Sequence, residues 1–146
     1  MADLPDLRDN IRDEQTPADC LLLRGGPDST AKLLRHAERM RRMFCLDGDH
    51  ILGISMFAAT DEVGLNSSDG ILAGQLSTYR FVYSVPAGVL AAAGFRIVPT
   101  FRQPHVTVLI ESADELPALL AALGPPQVNG KYGENNHRRR SRDDRH

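Results

Sequence analysis

The chain has no tryptophan and only eight aromatic residues among its 146. Leu, Ile, Val, Met and Ala must therefore fill whatever core it has. It has no apolar run near the roughly 20 residues of a membrane span, so no membrane partner is expected. It has only two cysteines, Cys20 and Cys45. They could form one disulfide, but two buried free thiols in a reducing compartment are the preferred expectation. No Cys/His spacing typical of a metal site occurs, and neither a metal nor a cofactor is expected. Near the N-terminus Asp3, Asp6 and Asp9 stand where a secretory signal has a basic and then an apolar stretch. This predicts a cytoplasmic protein. A G-x-G-x-x-G dinucleotide fingerprint is missing, as is regular βαβ alternation.

What is present is unevenly charged. Residues 1–19 carry net −4 and residues 131–146 net +3, around a nearly neutral middle. Both ends are poor in apolar side chains. We therefore expect a mobile acidic tail at 1–19, one α/β domain at 20–124, and a mobile Arg-rich tail at 125–146.

Periodicity predicts the elements. Residues 20–24 read as a buried strand. A helix capped by Asp28 or Ser29 should run to about Phe44, because Leu33, Ala37, Met40 and Phe44 form one stripe. Residues 50–59 are apolar on both faces, as in a central strand. A short helical turn at 70–76 and a strand at 78–85 follow. Pro86 and Gly94 bracket a second helix, and strands at 95–98 and 105–110 come next. The last helix starts either at an Asp114 cap or at a Ser112–Glu115 capping box, and Gly124 ends it. The order predicts a small single α/β (α+β) domain with a mixed sheet of about five strands flanked by helices. Leu22, Leu33, Met40, Leu52, Ile54, Val82, Leu90, Val108, Leu119 and Leu120 should be its core.

Four constellations bear on function. In Arg24-Gly25-Gly26-Pro27-Asp28-Ser29, a strand ends in a cation and two glycines just before a helix start. Backbone N–H groups, a positive helix end and a guanidinium would together hold a phosphate, with Arg24, Gly25, Gly26 and Ser29 as its ligands. The competing explanation is a tight turn with Arg24 paired to a nearby acid. A P-loop is excluded because no Lys-Ser/Thr follows at the right spacing.

In Pro104-His105-Val106-Thr107-Val108, His105 and Thr107 share a strand face, where an imidazole can move a proton beside a hydroxyl. This resembles one half of the motif pair of two-histidine phosphodiesterases. The second half is absent, since His50 lacks the hydroxyl residue and His36 sits on a helix. The order Arg24, Ser55, Glu111 on three strands resembles the ADP-ribosyltransferase pattern. That resemblance implies that Arg24 and Ser55 hold a dinucleotide and that Glu111 orients the attacking group. The match departs from the family at Ser55, which has no Ser-Thr-Ser context, and at Glu111, which has no acid or Gln two residues before it.

The fourth constellation is a basic helix side. Lys32, Arg35, Arg39 and Arg42 fall at i, i+3, i+7 and i+10, and residues 32–42 carry net +4. Such a stripe can follow a nucleic-acid backbone or an acidic partner, although a solvated charged face looks the same in sequence. Tyr79, Phe81 and Tyr83 alternate nearby, as a stacking platform or as core.

Two functions are thus expected as alternatives. One is an enzyme acting on a nucleotide or RNA, as in toxin–antitoxin or defence pairs, with His105, Thr107 and Ser55 catalytic. The other is a non-catalytic module that binds a protein or nucleic acid through the first helix.

Overall fold

The computed structural model describes residues 4–133. Most of the basic segment expected as a C-terminal tail, residues 134–146, lies outside the described residues. The chain forms β1 (Leu21–Gly26), α1 (Thr30–Met43), a small hairpin of β2 (Cys45–Leu46) and β3 (Asp49–His50), and β4 (Leu52–Ala59). Then come α2 (Ser68–Ala73), β5 (Phe81–Pro86), α3 (Ala87–Ala92), β6 (Arg96–Pro99), β7 (His105–Ile110), α4 (Leu116–Leu123) and β8 (Gln127–Val128).

Six strands make one sheet in the order β6-β7-β4-β1-β5-β8. Every pairing in it is antiparallel, so the sheet is not mixed as the element order suggested. The architecture is α+β. β4 is central, between β1 and β7, as its two-sided apolar pattern predicts. The main core gathers Leu22, Ile54, Met56, Val106 and Val108 from the sheet under Leu33, Leu90, Leu116 and Leu119 from the helices. Of the expected core, only Leu52 and Leu120 stay half-buried, packed at its margin.

Helix starts follow the side chains available. The Ser29 hydroxyl accepts the Lys32 N–H and so caps α1. Before α4 only one of the two expected starts is realised, because Asp114 lies inside the turn that Ser112 caps and caps no helix itself. The Ser112–Glu115 capping box opens a 3-10 turn at Ala113–Glu115. α4 follows at once, so Pro117 still falls in a first turn, where its missing N–H costs nothing.

The described part of the N-terminal segment packs on the domain instead of standing off it as a tail. Leu7 is fully buried against Met40 and Ile51. Arg12 donates from Nη1 to the carbonyls of Thr100 (2.6 Å) and His105 (2.9 Å), and pairs with Glu14 at 2.7 Å. One leucine and one arginine thus do what the sparse apolar composition seemed to rule out. The other end is held too. β8 pairs with β5, and the buried Asn129 amide donates to the carbonyls of Leu76 (2.9 Å) and Tyr79 (3.0 Å). Residues 125–133 therefore belong to the domain. We expect Leu7→Ala to lower the unfolding free energy by about 2–4 kcal/mol in urea titrations. A loss of roughly 0.5 kcal/mol or less would mean that the segment is detachable after all.

Candidate functional site

The sheet opens at one place. β1 stays paired with β5 from Leu21 to Gly26, but its pairing with β4 ends at Leu23 opposite Phe57. Ser55, two residues further along β4, therefore lacks a strand partner on that side. Side chains replace it. The Ser55 N–H donates to Nε2 of His36 on α1 at 3.0 Å, and the Ser55 carbonyl accepts from Nη1 of Arg24 at 2.8 Å. A backbone left unpaired in the middle of a sheet would otherwise cost about as much as two lost hydrogen bonds.

A cleft of about 470 Å³ lies in this wedge. Arg24, Gly25, Gly26, Asp28, Lys32, His36, Ser55, Phe57, Gln75 and Tyr79 are among its lining residues. The structure thus brings together Arg24, Gly25, Gly26 and Ser55, but the α1 cap Ser29 is not among the lining residues. It does not leave them in the state a phosphate cradle needs. Arg24 Nε is paired with Asp28 at 2.7 Å, and the two side chains are only 12% and 8% exposed. The guanidinium is thus neutralised, buried and spent on Ser55. Gly25 and Gly26 stand opposite Val82 and Phe81 in the ladder, and the rings of Tyr79 and Tyr83 cover their Cα positions. The Asp28 N–H donates to the Tyr83 hydroxyl (2.8 Å), and the Ser29 hydroxyl is taken by Lys32 N–H. The acid-paired explanation of Arg24 is the one the geometry matches.

His36 is a residue that sequence reasoning passes over. It flanks the apolar stripe of α1, beside Leu33 and Ala37, and a boundary position of that kind is the only signal that it faces the sheet. Burial pulls its pKa down from 6.5 to about 4, helped by the nearby positive charges of Arg24 and Arg39. The ring is therefore neutral at pH 7. With Nε2 accepting from Ser55, the proton sits on Nδ1.

His105 lies outside the cleft lining. Leu23, Phe57 and His105 sit on one cross-strand row, so His105 is two strands, or about 10 Å, from Leu23. Its ring meets Phe57 edge-on at 5.8 Å and also packs on Phe101. Nδ1 is 2.7 Å from the Thr100 hydroxyl, which is 2.8 Å from the Thr107 hydroxyl. Thr100 and Thr107 are fully buried, so Thr107 offers no oxygen to a ligand. Burial lowers the His105 pKa, a hydrogen bond to the Thr100 backbone opposes this, and the Arg12 charge adds to the lowering. Glu111 stands one residue past the end of β7, about 13 Å along the strand from Thr107, and lines a different cleft with Asp49 and Arg96. The Arg24–Ser55–Glu111 set is therefore not assembled.

The basic residues of α1 are where periodicity put them. Lys32, Arg35, Arg39 and Arg42 are all exposed on the solvent side. None lies within 4.0 Å of a carboxylate among the described residues. The aromatic trio divides instead. Tyr83 is buried, while Tyr79 and Phe81 are 44% and 41% exposed, and Tyr79 precedes β5. Among the described residues no cluster of three metal-ligating side chains occurs, and no helix is long and apolar enough to cross a membrane. No protein-family model, curated protein or solved structure matches the chain.

Two outcomes follow for stability. Arg24→Ala leaves Asp28 charged without its partner and removes the donor to Ser55. It should cost about 3 kcal/mol in denaturant titrations, and a near-neutral result would show that the pair is not buried in solution. For His36, the native state binds fewer protons than the unfolded state between pH 6.5 and about 4. Its contribution is thus complete above pH 6.5 and is lost as pH falls toward 4, a change on the order of 1–3 kcal/mol. His105 is shifted in the same direction. Comparing wild type with His36→Gln isolates the His36 part, and equal pH slopes in the two proteins would contradict it.

Proposed function

We propose that the protein is a non-catalytic binding module that takes a nucleic-acid backbone along the solvent side of α1. The observation that carries this reading is the row of Lys32, Arg35, Arg39 and Arg42, open to solvent and without carboxylate partners among the described residues. Surface cations are usually interleaved with acids, and this helix has none in its first turn. Only Glu38 offsets the five cations of residues 32–42. The row spans about 15 Å along the axis, at 1.5 Å per residue. Phosphates that replace its counterions would gain from ion release. The two unpaired thiols, Cys20 and Cys45, suit a reducing compartment such as the cytoplasm.

A second reading keeps an enzyme acting on a nucleotide or RNA, as in toxin–antitoxin or defence pairs. Its support is that Arg24, Gly25, Gly26 and Ser55 line one cleft. Against it stand the neutralised Arg24, the buried Thr107 hydroxyl and the separation of His105. It requires that His105→Ala abolish nucleotide or RNA turnover.

The test is binding of labelled oligonucleotides measured against salt. Log K should fall linearly with log salt. Arg35→Ala/Arg39→Ala should flatten the slope by roughly 0.7–0.9 for each phosphate that is no longer neutralised. An unchanged slope would move the interface off α1. Binding to an acidic polypeptide but to no nucleic acid would replace the partner.

A further inference from the structure

We infer that the cleft takes one unstacked base of a single-stranded nucleic acid, with Tyr79 as the stacking surface. This rests on the reading of α1 as a backbone-binding side and adds which form of nucleic acid it accepts.

Tyr79 is placed as a platform. A Cβ built on Gly25 would collide with Cγ, Cδ1 and Cδ2 of the Tyr79 ring together. The ring therefore lies with its face against the strand, in space that only glycine leaves open. Its backbone is pinned as well, with the N–H bonded to the Leu76 carbonyl (3.0 Å) and its own carbonyl to the Asn129 amide (3.0 Å). The residue is nonetheless 44% exposed. A ring held against the strand yet still partly exposed pays little ordering entropy when a base stacks on it. Phe57 supplies a second aromatic wall of the same cleft.

The polar groups of the cleft suit a base better than a phosphate. Arg24 and Asp28 cancel each other's charge, so this buried pair offers an anion no net attraction. His36 holds its proton on Nδ1, which has no partner among the described residues, and Ser55 and Gln75 add a hydroxyl and an amide. Neutral donors and acceptors of this kind match the edge of a base. The uncompensated cations belong to α1. Lys32 serves both places, since it lines the cleft and begins the basic row. A strand that follows the row therefore arrives at the cleft mouth. A base paired inside a duplex is stacked on both faces and must be extruded before it can enter, at a cost of a few kcal/mol. The cleft volume of about 470 Å³ falls in the range that accepts one small ligand.

The test uses anisotropy titrations of the full chain. The probes are a labelled single-stranded oligonucleotide, the same strand made abasic, and its duplex. The duplex and the abasic strand should bind at least about tenfold more weakly than the single strand. Tyr79→Ala should weaken the single strand by a similar factor, leave its salt slope unchanged and leave duplex binding unaffected. Tyr79→Phe should bind as wild type does. If Tyr79→Ala proves unfolded by thermal melting, Tyr79→Leu, which keeps apolar cover on Gly25, decides the point. Wild-type affinity in Tyr79→Ala or Tyr79→Leu, or equal affinity for duplex and single strand, overturns the base cleft and leaves the α1 reading standing. Absence of binding to every nucleic acid probe overturns both.

Discussion

The parting of β1 from β4 after Leu23 and Phe57 is the constraint on which the rest of the molecule depends. A sheet cannot open in its middle without stranding backbone groups. Here the opening is tolerated because two side chains from different elements meet the N–H and the carbonyl of one residue, Ser55. His36 must be neutral to accept, and Arg24 must be charged to donate well. α1 is thereby tied to the centre of the sheet by a polar contact as well as by Leu33 and Ala37. The cleft is the space this repair leaves behind.

The same repair explains why a strand-end arginine beside two glycines is not a ready anion receptor. A guanidinium has a fixed fork of donors. Those of Arg24 that the structure accounts for point at Asp28 and Ser55, both parts of the protein. Asp28 in turn sits directly before the cap of α1, where a negative charge is favoured by the helix end. The anion that the junction invites is supplied by the chain itself, four residues further along.

Much of the frame was legible in the sequence because it repeats. The stripe of α1, the two-sided apolar pattern of β4, and the Gly94 and Gly124 stops each rest on several residues that agree. The features that were missed rest on single residues. Leu7 is one leucine in an acidic stretch, yet it fills a core site. His36 is one position off a stripe. β8 is two residues long and follows two prolines. The antiparallel pairing of β1 with β4 was hidden for another reason. A helix between two strands suggests a parallel crossover, and the β2–β3 hairpin inserted after α1 reverses the chain before β4 begins. In the candidate site, residue types and neighbourhood were readable, since Arg24, Gly25, Gly26 and Ser55 do meet. Their hydrogen-bonding state was not, because it depends on where β1 and β4 stop pairing.

The N-terminal segment has a further consequence, for how copies of the chain meet. The outer strand β6 is four residues long, ends in Pro99, and has its Pro99 carbonyl taken by the Arg12 N–H at 2.8 Å. Ile11 bridges to Thr100 just beyond it. At the opposite border β8 offers two residues. The N-terminal segment thus covers the Pro99 end of the β6 border, where another strand could otherwise join, while β8 covers only Phe81 and Val82 of β5. The acidic stretch that was expected as a mobile tail therefore bears on solubility, as a cover over part of an edge that could otherwise template association.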